Sequence, residues 1–217
     1  MSIHGGIESV SQSLSPHGGV AGLDRKIVRA YAGVNGVARM VYQRRVYLFR
    51  DGVEDTALTG GWTGSYTHKT NSGSNYSMKR LTNDGTYFSG SMSSTGGSAE
   101  NCLYIRSLNA LDLSKFRKLI CVLEWYTSRD NQSSSYPIYA AHFGVFNHAY
   151  SNAQSNQIDA RYLAQDNSFT PSKNSGYEEI TLNVDIDGVA SGDILYCNYV
   201  ANQNSSINIR IKEIWLE

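Results

Sequence analysis

Carboxylates, histidines and aromatic rings are the groups through which this 217-residue chain could do chemistry. Glycoside hydrolysis needs two carboxyl groups flanking the scissile bond. Glu124 is the acid that best fits this role, inside the apolar run 118–127 and next to Trp125 and Tyr126. Glu178 and Glu179 open a second β-prone run. The structural alternative for Glu124 is a solvent-facing position on a strand whose other face (Leu119, Cys121, Leu123, Trp125) is core, or an ion pair with Arg106 or Arg129. Nucleophilic hydrolysis needs a serine or cysteine, a base and an orienting carboxylate. The histidines are His4, His17, His68, His142 and His148, and no Gly-x-Ser-x-Gly elbow stands between a strand and a helix. Asp185-Ile-Asp187-Gly188 opens like a calcium loop but lacks the closing glutamate, so a strand-end turn is expected. Gly60-Gly61 and Gly96-Gly97 lack the helix and the Lys-Ser/Thr pair of a phosphate cradle. The expectation is no enzyme: no catalytic residue, no metal and no cofactor.

Sugar recognition suits the side chains better. Sugar rings offer flat C–H faces and many hydroxyls, so a binder combines exposed aromatic rings with hydrogen-bonding groups. Trp125 and Tyr126, then Arg129 and Asp130 at the start of the polar loop 128–136, and His142 on the following strand form the expected cluster. Tyr196, Asn198 and Tyr199 are placed on an adjacent strand. The expected ligand-binding residues are Trp125, Tyr126, Arg129, His142 and Asn198. Trp125 and Tyr126 have opposite strand parity, so at most one faces the core and the other stands beside Arg129. The competing reading puts Trp125 and many tyrosines in the core, where aromatics supply much of the buried area.

Charge narrows the partners. Lys plus Arg equals Asp plus Glu at 19 each, which argues against a general nucleic-acid or anionic-membrane binder. No stretch approaches the roughly 20 apolar residues of a membrane-spanning helix. The start, Met-Ser-Ile-His-Gly-Gly, has no basic or apolar leader segment, so synthesis in the cytoplasm without an export signal is expected. Cys102, Cys121 and Cys197 each lie in apolar or alternating runs. They are expected to be unpaired, buried thiols of a reducing compartment.

Local patterning supplies the elements. Residues 1–22 show no period and are expected to be a flexible or partner-ordered arm. Residues 25–50 alternate β-branched or aromatic residues with basic ones, and Asn35-Gly36 is the pair favoured in a two-residue hairpin turn. Two such strands are marginal alone, so Arg25, Arg29, Asn35, Gly36 and Arg39 are the expected assembly contacts. Gly19-Val20-Ala21 recurs as Gly36-Val37-Ala38, a faint repeat. Strands are expected at 75–81, 86–90, 99–107, 118–127, 138–146, 159–164, 178–186, 194–200 and 207–216. The run 178–186 alternates strictly, while 207–216 changes parity at Lys212-Glu213, which predicts a bulge. Only 108–116 has the makings of a helical turn. Short strands separated by turn clusters predict an all-β sandwich over 56–217, behind an arm and hairpin over 1–55.

Tyr31-Ala-Gly-Val-Asn-Gly-Val-Ala-Arg-Met-Val-Tyr42 resembles the hairpin segment of tail and baseplate proteins from phages and prophages of Gram-positive gut bacteria. The stretches 111–120, 180–186, 192–199 and 209–216 resemble jelly-roll modules of such tails, which are similar to carbohydrate-binding modules. The resemblance implies a jelly-roll-like sandwich in a non-enzymatic structural or receptor-binding tail component. Its partners would be other tail subunits or itself, with a homotrimer as the family's common state, and host surface glycan. The chain would then reach the extracellular space in a particle after lysis. A bacterial carbohydrate-binding module or adhesin is the alternative, and a glycan-cleaving enzyme using Glu124 the third reading.

Overall fold

The computed structural model describes residues 17–20, 23–26, 29–34, 37–43, 45–70, 75–95, 99–127, 140–149, 161–169, 175–200 and 205–217. The chain divides into two compact units, residues 1–46 with Glu217, and Tyr47–Leu216.

The first unit contains two antiparallel pairs. β1 (His17–Val20) pairs with β2 (Leu23–Lys26), and β3 (Arg29–Val34) with β4 (Val37–Gln43). Val34 lies opposite Val37, leaving two residues for the connection, as the expected hairpin requires. Those two, Asn35 and Gly36, lie outside the described residues. Arg25 stands in β2, Arg29 in β3 and Arg39 in β4. The arm reading is corrected at residues 17–20, which pair as a strand. The repeat is not structurally equivalent: Gly19-Val20 ends a strand, whereas Val37-Ala38 begins one.

The second unit is an all-β sandwich. One sheet holds β5 (Val46–Arg50), β6 (Val53–Glu54), β8 (Asn75–Asn83), β9 (Phe88–Thr95), β12 (Lys118–Tyr126), β15 (Glu178–Asp185) and β17 (Ser205–Leu216). Its order is β15-β12-β17-β5-β6, with β9 also on β17 and β8 on β9. The other holds β7 (Trp62–Thr70), β10 (Ala99–Ser107), β11 (Leu111–Asp112), β13 (Ala140–Phe146), β14 (Tyr162–Asp166) and β16 (Ser191–Val200). Its order is β14-β13-β16-β10-β7, with β11 on β16. The chain passes back and forth between the sheets from β9 to β17, the jelly-roll-like path expected from the sequence.

Period-2 patterning decides which side chains fill the space between the sheets. Leu119, Cys121, Leu123 and Trp125 of β12, Leu182 and Val184 of β15, and Ile207, Ile209 and Ile211 of β17 are buried. From the facing sheet come Leu103, Ile105, Phe143, Val145, Ile194 and Tyr196. Phe49 stacks on Phe88 at 3.9 Å between ring centroids, and Trp62 reaches the same ring at 5.5 Å. The predicted bulge is present. Val122 opposes Glu213 and Leu123 opposes Ile211, so Lys212 is the extra residue. β15 ends as expected in a turn, where the Asp187 N–H donates to the Asp185 carboxylate at 3.0 Å.

Four further expectations need correction. Val46–Arg50 belongs to the sandwich, as a neighbour of β17, so the boundary falls near residue 46 rather than 55. Residues 50–53 close a two-residue hairpin through Asp51 (φ 50°) and Gly52 (φ 76°), the left-handed pair of a type I′ turn. β7 was not expected: Trp62-Thr-Gly-Ser-Tyr has little aliphatic content and Gly64 interrupts it. Gly64 is nevertheless required, because a Cβ there would sit 1.8 Å from the Leu81 carbonyl oxygen. Residues 108–116 form β11 and turns; an α-helical turn lies instead at Thr56–Thr59, capped by the Asp55 side chain on the Leu58 N–H at 3.1 Å.

The fourth correction concerns sulfur. Cys102 and Cys197 form a disulfide with Cα atoms 6.5 Å apart, and Cys121 alone is free. Tyr104 opposes Cys197 and Cys102 opposes Tyr199, so the two cysteines are diagonal neighbours on one face of adjacent strands. Their linkage depends on a register that separate sequence contexts do not reveal. Burial raises the Cys121 thiol far above its ordinary pKa. Thiol titration of protein unfolded without reductant is therefore expected to find one reactive group, and three after reduction. Three thiols in the unreduced sample would contradict the pairing.

Candidate functional site

The outward face of the seven-stranded sheet carries the polar partners of the alternating core residues. On β12 these are Glu124 and Tyr126; on β17, Asn208, Arg210 and Lys212; on β9, Ser89 and Ser91. All are partly exposed. Register lines them up in two rows. Glu179, Glu124, Arg210 and Ser89 lie across β15, β12, β17 and β9, and Tyr126, Asn208, Ser91 and Lys79 across β12, β17, β9 and β8.

Rings border these rows. Tyr177, which leads into β15 and is 41% exposed, lies 5.8 Å from the ring of Tyr126. The Arg210 guanidinium carbon stands 3.9 Å from the Tyr177 ring centroid and 5.6 Å from that of Tyr87. The result is a strip running Tyr126, Tyr177, Arg210, Tyr87. Each such cation–π contact contributes about 0.5–1 kcal/mol at an exposed site. Beside the strip is a shallow depression of about 190 Å³, lined by Lys79, Asp84, Ser89, Ser91, Tyr177, Asn208 and Arg210 among others.

The charges on this face are fixed by neighbours. Asp84 accepts from the Ser89 hydroxyl at 2.5 Å, the Tyr87 N–H at 2.8 Å and the Thr86 N–H at 3.0 Å. The Ser89 hydroxyl foremost, then those backbone donors and Arg210, holds its carboxyl below the usual aspartate pKa. Lys212 donates to Glu179 at 2.6 Å and lies 3.5 Å from Glu124. The Glu179 hydrogen bond keeps its ammonium above the ordinary lysine pKa. Arg210 reaches Glu124 at 3.9 Å. Chemically, the face offers ring surfaces, hydroxyl and amide groups, and paired charges.

Of the four expected ligand-binding residues that lie among the described residues, only Tyr126 is placed on this face. Trp125 is 3% exposed and meets Phe169 edge-on at 5.3 Å between centroids. Asn198 is fully buried and accepts from the Tyr196 hydroxyl at 3.3 Å. Neither can present itself to a dissolved ligand, so Trp125 is corrected from a stacking platform, and Asn198 from a hydrogen-bonding group at the ligand, to the interior. His142 belongs to the other sheet, opposite Cys197, and is 8% exposed. Its Nδ1 contacts the Gln165 side-chain oxygen at 3.1 Å and its ring stacks against Tyr162. Asn198 opposes Ala141, one residue along from His142, so the two point to opposite faces and do not form one site. Arg129 lies outside the described residues. Glu124 pairs with Arg210 and Lys212 rather than Arg106, which binds Asp193 in the other sheet.

Arg210, Tyr177, Tyr87, Asp84 and Ser89 are the residues that sequence reasoning missed. The alternation of 207–211 already placed Asn208 and Arg210 opposite the isoleucines. What sequence did not contain was the pairing of β17 with both β12 and β9, which brings Tyr126 and Ser91 to either side of Asn208.

No family model matches the chain, and no curated protein sequence does. Among solved structures the similarity is distant. The enzymatically active domain of tailspike protein 4 from bacteriophage CBA120 is 12% identical with a TM-score of 0.44, over 79% of this chain and 21% of that one. The family 29 carbohydrate-binding module CBM29_1 of Piromyces equi is 15% identical with a TM-score of 0.37, over 71% of this chain and 90% of that one. The Stig cyclase Fisc of Fischerella sp. TAU is 12% identical with a TM-score of 0.42, over 80% and 98%. The chain thus spans about a fifth of the tailspike domain it is similar to.

Proposed function

We propose that the sandwich is a non-catalytic glycan-binding module, and that the chain is a structural or receptor-binding component of a phage or prophage tail. The observation that carries the binding reading is the strip of Tyr126, Tyr177, Arg210 and Tyr87 beside the polar depression. Tyr177 offers a ring for stacking against sugar C–H groups. Asn208, Ser91 and Lys79 offer donors and acceptors at the distance of one cross-strand row. The tail reading is supported by the resemblance of residues 31–42, whose strands pair around a two-residue connection.

One stacking contact contributes about 1 kcal/mol. A single shallow site therefore binds in the region of millimolar Kd, about −4 kcal/mol in all. Tail components occur in several copies, and multivalency raises such affinities by orders of magnitude. The test is glycan-array binding by the full chain displayed multivalently, compared with Tyr177→Ala and Arg210→Ala. At least a tenfold loss is expected for each, in protein that remains folded. Purified particles containing the chain should be captured by the same glycans. An array with no signal for the wild type, or substitutions that leave the signal intact, would overturn the binding reading, and absence of the chain from particles the tail reading.

A further inference from the structure

The polar face is not a basic patch, although Arg210 and Lys212 project from neighbouring positions on it. Both converge on Glu124. Its side chain is 20% exposed, against 40% for Arg210 and 34% for Lys212, so the carboxylate sits deeper than the cations it holds. Lys212 is further held by Glu179 at 2.6 Å. Across the depression Lys79 and Asp84 add one charge of each sign. We propose that Glu124 makes this face selective for neutral glycans, by cancelling from within the sheet the positive charge of Arg210 and Lys212. The inference rests on the glycan-binding reading above.

The physical reason is competition. A uronate or sialate carboxylate approaching Arg210 meets a guanidinium already engaged by Glu124 and by two tyrosine rings. Full pairing with the sugar would draw Arg210 from Glu124, leaving that half-buried carboxylate with Lys212, already shared with Glu179, as its remaining cation under the ligand. Glu124, Glu179 and Asp84 also repel the incoming charge. A neutral sugar meets none of these costs. It can stack on Tyr177 and hydrogen-bond to Asn208 or Ser91 with the ion pairs intact. Its binding should also be nearly independent of salt, because no net charge is exchanged.

The probes are matched pairs on one array: neutral hexose oligosaccharides and the same oligosaccharides oxidised at C6 to uronates. Wild type is expected to favour the neutral member at least tenfold, at low and at physiological salt. Glu124→Gln keeps the shape and removes the charge. It should narrow that preference at least fivefold, through a gained, salt-sensitive uronate signal. Glu179→Gln, at a more exposed carboxylate, should give a smaller change in the same direction and serves as the measure if Glu124→Gln does not fold. Equal or stronger uronate binding by wild type would overturn the proposal. So would an unchanged preference in both variants, even with neutral binding intact. Silence toward both members would instead remove the glycan-binding reading itself, and this inference with it.

Discussion

Replacing Trp125 with alanine is expected to lower the unfolding free energy by about 3–5 kcal/mol, as large buried rings do when truncated. The indole is 3% exposed, faces the interior from β12 and packs edge-on against Phe169. In a domain of this size each kcal/mol moves the thermal midpoint by roughly 2–4 °C. A drop of at least about 6 °C should follow. Tyr126→Ala should cost no more than about 1 kcal/mol, because the ring lies on the outward face. The functional readouts should be reversed. Tyr126→Ala should weaken glycan binding by protein that remains fully folded, while folded Trp125→Ala protein retains it. A thermally silent Trp125→Ala would mean that the ring is not part of the core. Adjacent residues in one strand thus serve stability and recognition separately, through the two faces of the pleat.

The same pleat explains what was legible. Strict alternation in 178–186 and the parity change after Ile211 exposed two strands, their core faces and the Lys212 bulge, because each is a local consequence of a two-residue period. The parity of Trp125 and Tyr126 was likewise readable, and showed that no more than one of them would face the core. Pairing was not readable. Nothing within 118–127 says that Glu124 will lie across from both Glu179 and Arg210, residues more than fifty positions away in sequence. The same holds for Cys102 and Cys197, whose contexts resemble those of ordinary buried thiols and whose linkage follows from strands β10 and β16 being neighbours. β7 escaped notice for a different reason. Its Trp-Thr-Gly-Ser-Tyr start resembles a turn, and what makes Gly64 fit a strand is the closeness of the Leu81 carbonyl, a tertiary fact. The candidate site was missed most because it is a row across four strands, whereas His142 and Asn198 were drawn together by strand adjacency alone, without regard to which face each occupies.

Asp193→Ala should destabilise the sandwich by about 3–5 kcal/mol, the cost of breaking a buried ion pair from one side. Asp193 is 1% exposed and lies in β16, one strand over from Arg106 in β10. The Arg106 Nε–H donates to Oδ2 at 2.6 Å, and its terminal nitrogen contacts the same oxygen. The other carboxylate oxygen meets His148 Nδ1 at 2.6 Å, just past the end of β13. Arg106 also lies over the Phe146 ring at 5.0 Å. Removing the carboxylate leaves the guanidinium charge in this enclosed setting without the group that balances it. His148 should matter much less, about 1 kcal/mol or below, because its side chain is 60% exposed and water can replace its bond. The decisive comparison is the double variant Arg106→Met with Asp193→Leu. A buried ion pair exchanged for apolar residues of similar volume is often neutral or stabilising. The double variant should therefore be more stable than Asp193→Ala, by most of the single-variant loss. Urea unfolding of the wild type, of Arg106→Met and Asp193→Leu singly, and of the double variant measures the coupling. If the double variant loses as much as the two single losses together, Arg106 and Asp193 act independently, and the pair does not hold β10 to β16 as the geometry indicates.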